Sequence, residues 1–195
     1  NEPPIARYEW LIGWFSGSIY DEALSVPDSL IVFRIYCLLC AAFFLQIAMF
    51  YIHRRGMWKL ILLAVVIVSL RINGASVMFM HTHASVQEEL GGRLETEHAI
   101  VYYSRNSLSN KERTLLKKDI AFRYDELRSF FKEDPVQWRG KKMEIYVYPS
   151  ADEQQRLMGS RRTFVARPWT HQMHLRWREF GDSVLAHEMA HLFTA

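Results

Sequence analysis

Apolar residues are distributed along this chain in two regimes, long unbroken runs before residue 81 and short periodic ones after it. The first run, Leu30–Ile52, reads LIVFRIYCLLCAAFFLQIAMFYI and is broken only by Arg34 and Gln46. At 1.5 Å per residue it is long enough to cross a hydrocarbon core of about 30 Å, so it predicts a transmembrane helix over about 30–52. Cys37 and Cys40 lie inside it, where lipid denies the polar access that redox or metal chemistry needs, and read as small packing residues. A second run centred on LILLAVVIVSL, followed by Arg71 and INGASVMFM, predicts another helix over about 57–80. Within such a helix Arg71 needs a carboxylate on a neighbouring helix of a larger bundle; if the helix ends early, the residue sits in the interface instead.

Beyond residue 81 the periodicity changes. HAIVYYS (His98–Ser104) is a β-branched and aromatic run, expected to form a strand. Ser109 and Glu112 form a capping box for a helix whose Leu116, Ile120, Leu127 and Phe131 recur at helical spacing, until Asp134-Pro135 stops it. In KMEIYVY (Lys142–Tyr148), Met143, Ile145 and Val147 alternate with Lys142, Glu144 and Tyr146, the pattern of a strand with one buried face. Ser150 and Glu153 suggest a second capping box over a short helix ending near Gly159; HQMHLRW (His171–Trp177) reads as a further strand, and Asp182 caps a last helix. The sum is an α+β chain: N-terminal membrane helices, then a mixed soluble domain.

Charge sets the expected topology. HRRGMWK, between the two runs, carries Arg54, Arg55 and Lys59, which the positive-inside rule places in the cytoplasm. Both outer flanks then face the other side: residues 1–29, whose Trp10, Trp14, Phe15 and Tyr20 suit a membrane interface, and the domain 81–195. That domain has 18 Lys and Arg against 16 Asp and Glu, a balance that gives no argument for nucleic acid, and it has no cysteine for a disulfide framework. One local imbalance stands out. Arg156, Arg161, Arg162, Arg167, Arg176 and Arg178 lie in a stretch with no acid between Glu153 and Glu179, which reads either as attraction for an acidic substrate or lipid phosphates or as a solvated face.

The chain closes with SVLAHEMAHLFTA. On a helix His187 and His191 lie one turn apart on one face, the spacing at which two imidazoles hold one Zn2+; Glu188 sits beside them, within reach of a water as general base. Val184, Leu185, Ala186, Met189, Ala190, Leu192 and Phe193 are the uncharged surroundings of a buried helix. Catalytic zinc takes three protein ligands. Only four residues follow His191 and the chain opens on Asn1, so the third ligand is expected beyond Ala195, in a longer protein of which this is a segment. His171 and His174, three apart on a strand, face opposite sides and are expected at the surface.

With VLAHEMAHLF as its most specific part, the order strand, helix, strand, short helix, strand, HExxH helix over residues 97–195 resembles the upper lobe of the zincin metallopeptidases. Metzincins carry Gly where this chain has Thr194, and aminopeptidase-N-type enzymes carry Trp where it has Phe193, so the resemblance is to the gluzincin, peptidase MA-like, membrane-anchored kind. It implies a zinc hydrolase acting on peptide or protein substrates, with His187 and His191 as ligands, Glu188 as base, and a third ligand from a downstream Glu. It also implies that the strand before the active helix, His171–Trp177, is a sheet edge that pairs with extended substrate. The expected protein is a membrane-anchored zinc peptidase with its domain outside the cytoplasm, in contact with lipid and with possible further transmembrane helices. The alternatives are a non-catalytic zincin-like binding domain of a transporter-like assembly and an intramembrane site-2-type protease; Arg176, Arg178, Glu179 and Asp182, just before the motif, weigh against the latter.

Overall fold

The computed structural model describes residues 5–6, 28–74, 77, 80–161 and 163–194. Contacts divide the chain into two compact units, residues 1–85 with 157–159, and residues 86–156 with 160–195. The interfacial segment expected over 1–29 lies almost wholly outside the described residues.

In the first unit a two-residue strand β1 (Ile5–Ala6) pairs antiparallel with β2 (Met80–His81). Between them run α1 (Asp28–His53) and α2 (Met57–Ile72), which pack on each other. Phe33 and Tyr36 are buried there among Leu30, Val32, Cys37, Cys40, Ile67 and Leu70. The cysteines are free and serve as packing residues. Most of the remaining apolar surface of both helices is exposed, from Ile31 to Ile52 and from Met57 to Ile72. Helix α1 is long and apolar enough to cross a membrane, and among the described residues it alone meets that test. Helix α2 stops at Ile72, short of the expected residue 80, because Asn73 turns back on it: its backbone N–H and its side-chain amide both donate to the Ser69 carbonyl. Arg71 is therefore an exposed residue of the final turn, where a cation complements the helix dipole, and among the described residues no carboxylate pairs with it.

The second unit continues from α3 (His83–Leu90) into β3 (Gly91–Glu95) and β4 (Ala99–Ser104), then α4 (Asn110–Phe131), α5 (Pro135–Arg139), β5 (Met143–Val147), α6 (Ala151–Met158), β6 (Val165–Arg167), a 3-10 turn (Pro168–Thr170), β7 (Gln172–Leu175) and α7 (Ser183–Phe193). The sheet order is β3-β4-β5-β7-β6, parallel at its centre and antiparallel at both edges. One face presents Val101, Ile145, Met173 and Leu175 to Leu116, Ile120 and Tyr124 of α4 and to Leu185, Met189 and Leu192 of α7, forming the core. The predicted capping box closes the start of α4 in both directions, Ser109 accepting from Glu112 N–H and Glu112 from Ser109 N–H. At α6 only half of the second box forms: Ser150 Oγ accepts from Glu153 N–H, while the Glu153 carboxylate turns to Arg156.

Strand β5 departs from its expected pattern. Tyr146 belongs to the polar register yet is fully buried, because the second face of the sheet is also covered. Its ring stacks between Tyr102 at 5.2 Å and His174 at 4.7 Å, and its hydroxyl donates to Glu144 and accepts from Gln87. Strand β3 escaped the sequence reading because GGRLE lacks a strand's composition. Gly92 is nonetheless required: it pairs with Tyr103, and a Cβ there would lie 2.6 Å from the Tyr103 carbonyl oxygen and 2.9 Å from its ring.

Candidate metal centre

Helix α7 begins where expected. Asp182 accepts from Val184 N–H at 3.0 Å, and Leu185, Met189, Leu192 and Phe193 then anchor one face in the core. Phe193 packs against Tyr124 and Phe131 of α4 at ring separations of 5.2 and 5.9 Å. This anchoring leaves His187 and His191 exposed on the opposite face with their Nε2 atoms 3.3 Å apart. A point 2.0–2.1 Å from both nitrogens subtends about 107° between them, close to the tetrahedral angle that zinc adopts. Two imidazoles brought together with no bulk between them thus fit two corners of a zinc shell. Among the described residues no third His, Cys, Asp or Glu completes it.

Glu188 lies one residue from His187 but turns inward and is buried. Burial is the largest influence on its carboxyl and raises its pKa, against the opposing pull of His187, His191 and a hydrogen bond from the Ala166 backbone. That last contact matters for position. Ala166 belongs to β6, one of the two edge strands of the described sheet, so the glutamate joins the two-histidine face of α7 to the backbone of that edge.

The edge is not where the resemblance placed it. His171–Trp177 shortens to β7, Gln172–Leu175, and β7 has neighbours on both sides, β5 and β6. Its backbone is already paired, so it cannot take an added strand; the edges of the described sheet are β3 and β6, and it is β6 that adjoins α7. His171 and His174 are also not surface residues. Both are fully buried. His174 stacks on Tyr146 and its Nδ1 lies 2.9 Å from the Tyr148 hydroxyl, while His171 takes a left-handed φ of 61° at the end of the 3-10 turn. His171 precedes the strand, so the alternation argument does not apply to it, and the surface expectation fails because both faces of this sheet are covered.

The arginine cluster is divided rather than pooled. Arg156 pairs with Glu89 at 3.2 Å and with Glu153, and Arg161 pairs with Asp152 at 2.9 Å. Arg176 lies over the Phe164 ring at 5.0 Å, Arg167 is held below the usual arginine range by burial, and Arg162 lies outside the described residues. Acids before residue 154 in sequence neutralise two of the charges, which a one-dimensional count does not reveal.

One supporting group went unread. Asp119, fully buried on α4, accepts from the Trp177 indole at 2.9 Å and from Gly181 N–H at 3.4 Å, and Arg123 donates to the Gly181 carbonyl at 3.3 Å. Together they grip the loop that leads into α7. The available signal was an acid inside the apolar stripe Leu116–Ile120–Tyr124. No family model, curated protein or solved structure matches this chain.

Proposed function

We propose that this protein is a membrane-anchored zinc metallopeptidase, with His187 and His191 as metal ligands, Glu188 as general base and a third ligand supplied from outside the described residues. The observation that carries the reading is the pair of Nε2 atoms 3.3 Å apart on one exposed face of α7, with the Glu188 carboxylate on the adjoining buried side. A bound zinc ion supplies Lewis acidity, polarising a peptide carbonyl and acidifying water. Glu188 takes the proton from the attacking water on a carboxylate oxygen and returns it to the amine that leaves. Strand β6 offers an extended edge backbone next to Glu188, along which a substrate peptide pairs as an added strand. Helix α7 is packed on a sheet and is preceded at once by Arg176, Arg178, Glu179 and Asp182; this supports a soluble rather than an intramembrane site. Anchoring rests on α1; with α2 crossing beside it, the cationic α1–α2 turn argues that the catalytic domain lies outside the cytoplasm.

The test is hydrolysis of a quenched-fluorescent peptide library by the membrane-inserted protein in its full natural length. Glu188→Gln keeps size and polarity but cannot accept a proton, so activity is expected to fall by at least about a thousandfold with zinc retained. Glu188→Gln with undiminished turnover would remove the general-base role and the peptidase reading with it.

A further inference from the structure

The cationic turn between α1 and α2 offers a binding site of its own. From Ser29 to Gln87 the chain contains no Asp or Glu, yet it carries five Arg and Lys, and three of these, Arg54, Arg55 and Lys59, fall at one end of the helix pair. The turn is short and fixed. Arg54, in the left-handed region at φ 53°, donates its N–H to the Phe50 carbonyl at 2.7 Å, and Gly56, at φ 90°, begins α2. A Cβ on Gly56 would lie 2.9 Å from Gln46 Nε2, so the one amide of the apolar helix is turned toward this loop. All three cations are exposed, and among the described residues none is paired with a carboxylate. Their nearest ring partners are aromatic: Arg54 lies 5.5 Å from the Tyr51 ring and Lys59 5.7 Å from the Trp58 ring, and those rings are themselves exposed.

What such a site accepts follows from its position. Helix α1 ends one residue before Arg54 and α2, which holds Lys59 in its first turn, begins two residues after Arg55; the exposed surfaces of both are largely apolar, so a ligand must carry negative charge directly adjoining hydrocarbon. A soluble anion meets only the first demand, and an acidic protein would have to bury its own carboxylates against Ile52 and Met57. Anionic phospholipid satisfies both, with headgroup phosphate at the cations and acyl chains along the helices. Exposed Tyr51 and Trp58 lie at the boundary, where amphipathic rings are favoured.

We propose that the α1–α2 turn is a binding site for anionic phospholipid headgroups, formed by Arg54, Arg55 and Lys59. The proposal rests on the membrane anchoring of α1 but not on the zinc chemistry. The protein is reconstituted into vesicles of equimolar phosphatidylcholine and phosphatidylglycerol, and insertion is established first by flotation and resistance to alkaline carbonate. The lipid that remains bound after mild detergent extraction is then measured as the ratio of phosphatidylglycerol to phosphatidylcholine. Enrichment of at least about threefold over the vesicle ratio is expected, lost in the R54Q/R55Q/K59Q variant and kept in K111Q/K117Q/K118Q, which removes the same charge from α4. Single Arg55→Gln and Lys59→Gln changes, each lowering the enrichment partway, keep the test decisive should the triple variant fail to insert. A bulk ratio in inserted wild-type protein, or enrichment that survives the three substitutions, would overturn the proposal. So would displacement by inorganic phosphate beyond that by chloride at equal ionic strength, which would assign the site to free phosphate. A chain that does not insert would instead overturn the anchoring on which the site depends.

Discussion

The indole of Trp177 donates to the carboxylate of Asp119 at 2.9 Å across 58 residues of sequence, and both side chains are buried. This bond ties the middle of α4 to the loop that leads into α7. Asp119→Ala would leave the Trp177 and Gly181 donors unsatisfied and is expected to cost about 3 kcal/mol, whereas Trp177→Phe with its smaller loss is expected to cost about 1–2 kcal/mol. Urea denaturation measures both. Equal, small losses would show that the loop is held elsewhere.

Two glycines separate steric need from backbone strain. Gly92→Ala places a Cβ 2.6 Å from the Tyr103 carbonyl, which the strand cannot move, and is expected to cost about 3 kcal/mol. Gly140 has φ 65° with nothing near its Cβ direction, so Gly140→Ala is expected to cost only about 1 kcal/mol. Thermal unfolding of the two variants gives the comparison directly; a Gly140 variant at least as damaged as the Gly92 one would contradict it.

Acid lability has a defined contributor. The Tyr124 hydroxyl, donating at 2.5 Å, holds the Asp134 carboxyl below its usual value of 3.8, helped by Gln137 N–H and Arg128 and opposed by burial. A depressed folded value means that this stabilisation is complete above the unfolded value, near pH 4, and is lost as pH falls through the folded one. Asp134→Asn should therefore flatten the decline of stability below about pH 4 while leaving its slope near neutrality unchanged. Denaturation midpoints collected from neutrality down to strong acid test this, and parallel curves for the two proteins would exclude it.

What the sequence disclosed depended on whether a residue's role was local. The capping box at Ser109 and Glu112 and the cap at Asp182 involve neighbours in the chain and appear as read, whereas α4 already stops at Phe131 with Lys132 in a left-handed cap, and Asp134-Pro135 opens α5 instead. The His187 and His191 pair was legible for the same reason, since one helical turn fixes it. Roles set by distant partners were not. His174 is buried because Tyr146 and Tyr148 surround it, β7 is interior because β6 folds back beside it, and Gly92 forms a strand because Tyr103 lies across it. The role of Asp119 is likewise set by Trp177 and Gly181, 58 and 62 residues away in sequence.

Topology is tested by reporter fusions after residue 90. With α2 crossing beside α1, the cationic turn predicts an active alkaline phosphatase at that point and an inactive cytoplasmic reporter. The reverse result would place residues 81–195 in the cytoplasm and remove an extracytoplasmic substrate from consideration.

The central claim, that His187 and His191 share one zinc with Glu188 outside its shell, is tested most directly by zinc titration of the chain with its histidines labelled with 15N. The account predicts that the Nε2 resonances of His187 and His191 shift together and saturate at one zinc per chain, weakly because two protein ligands leave the remaining positions to water. Glu188→Gln should leave that titration intact, and His187→Ala should abolish the response at His191. Tight binding that shifts His171 or His174 while the α7 pair stays unmoved would contradict it.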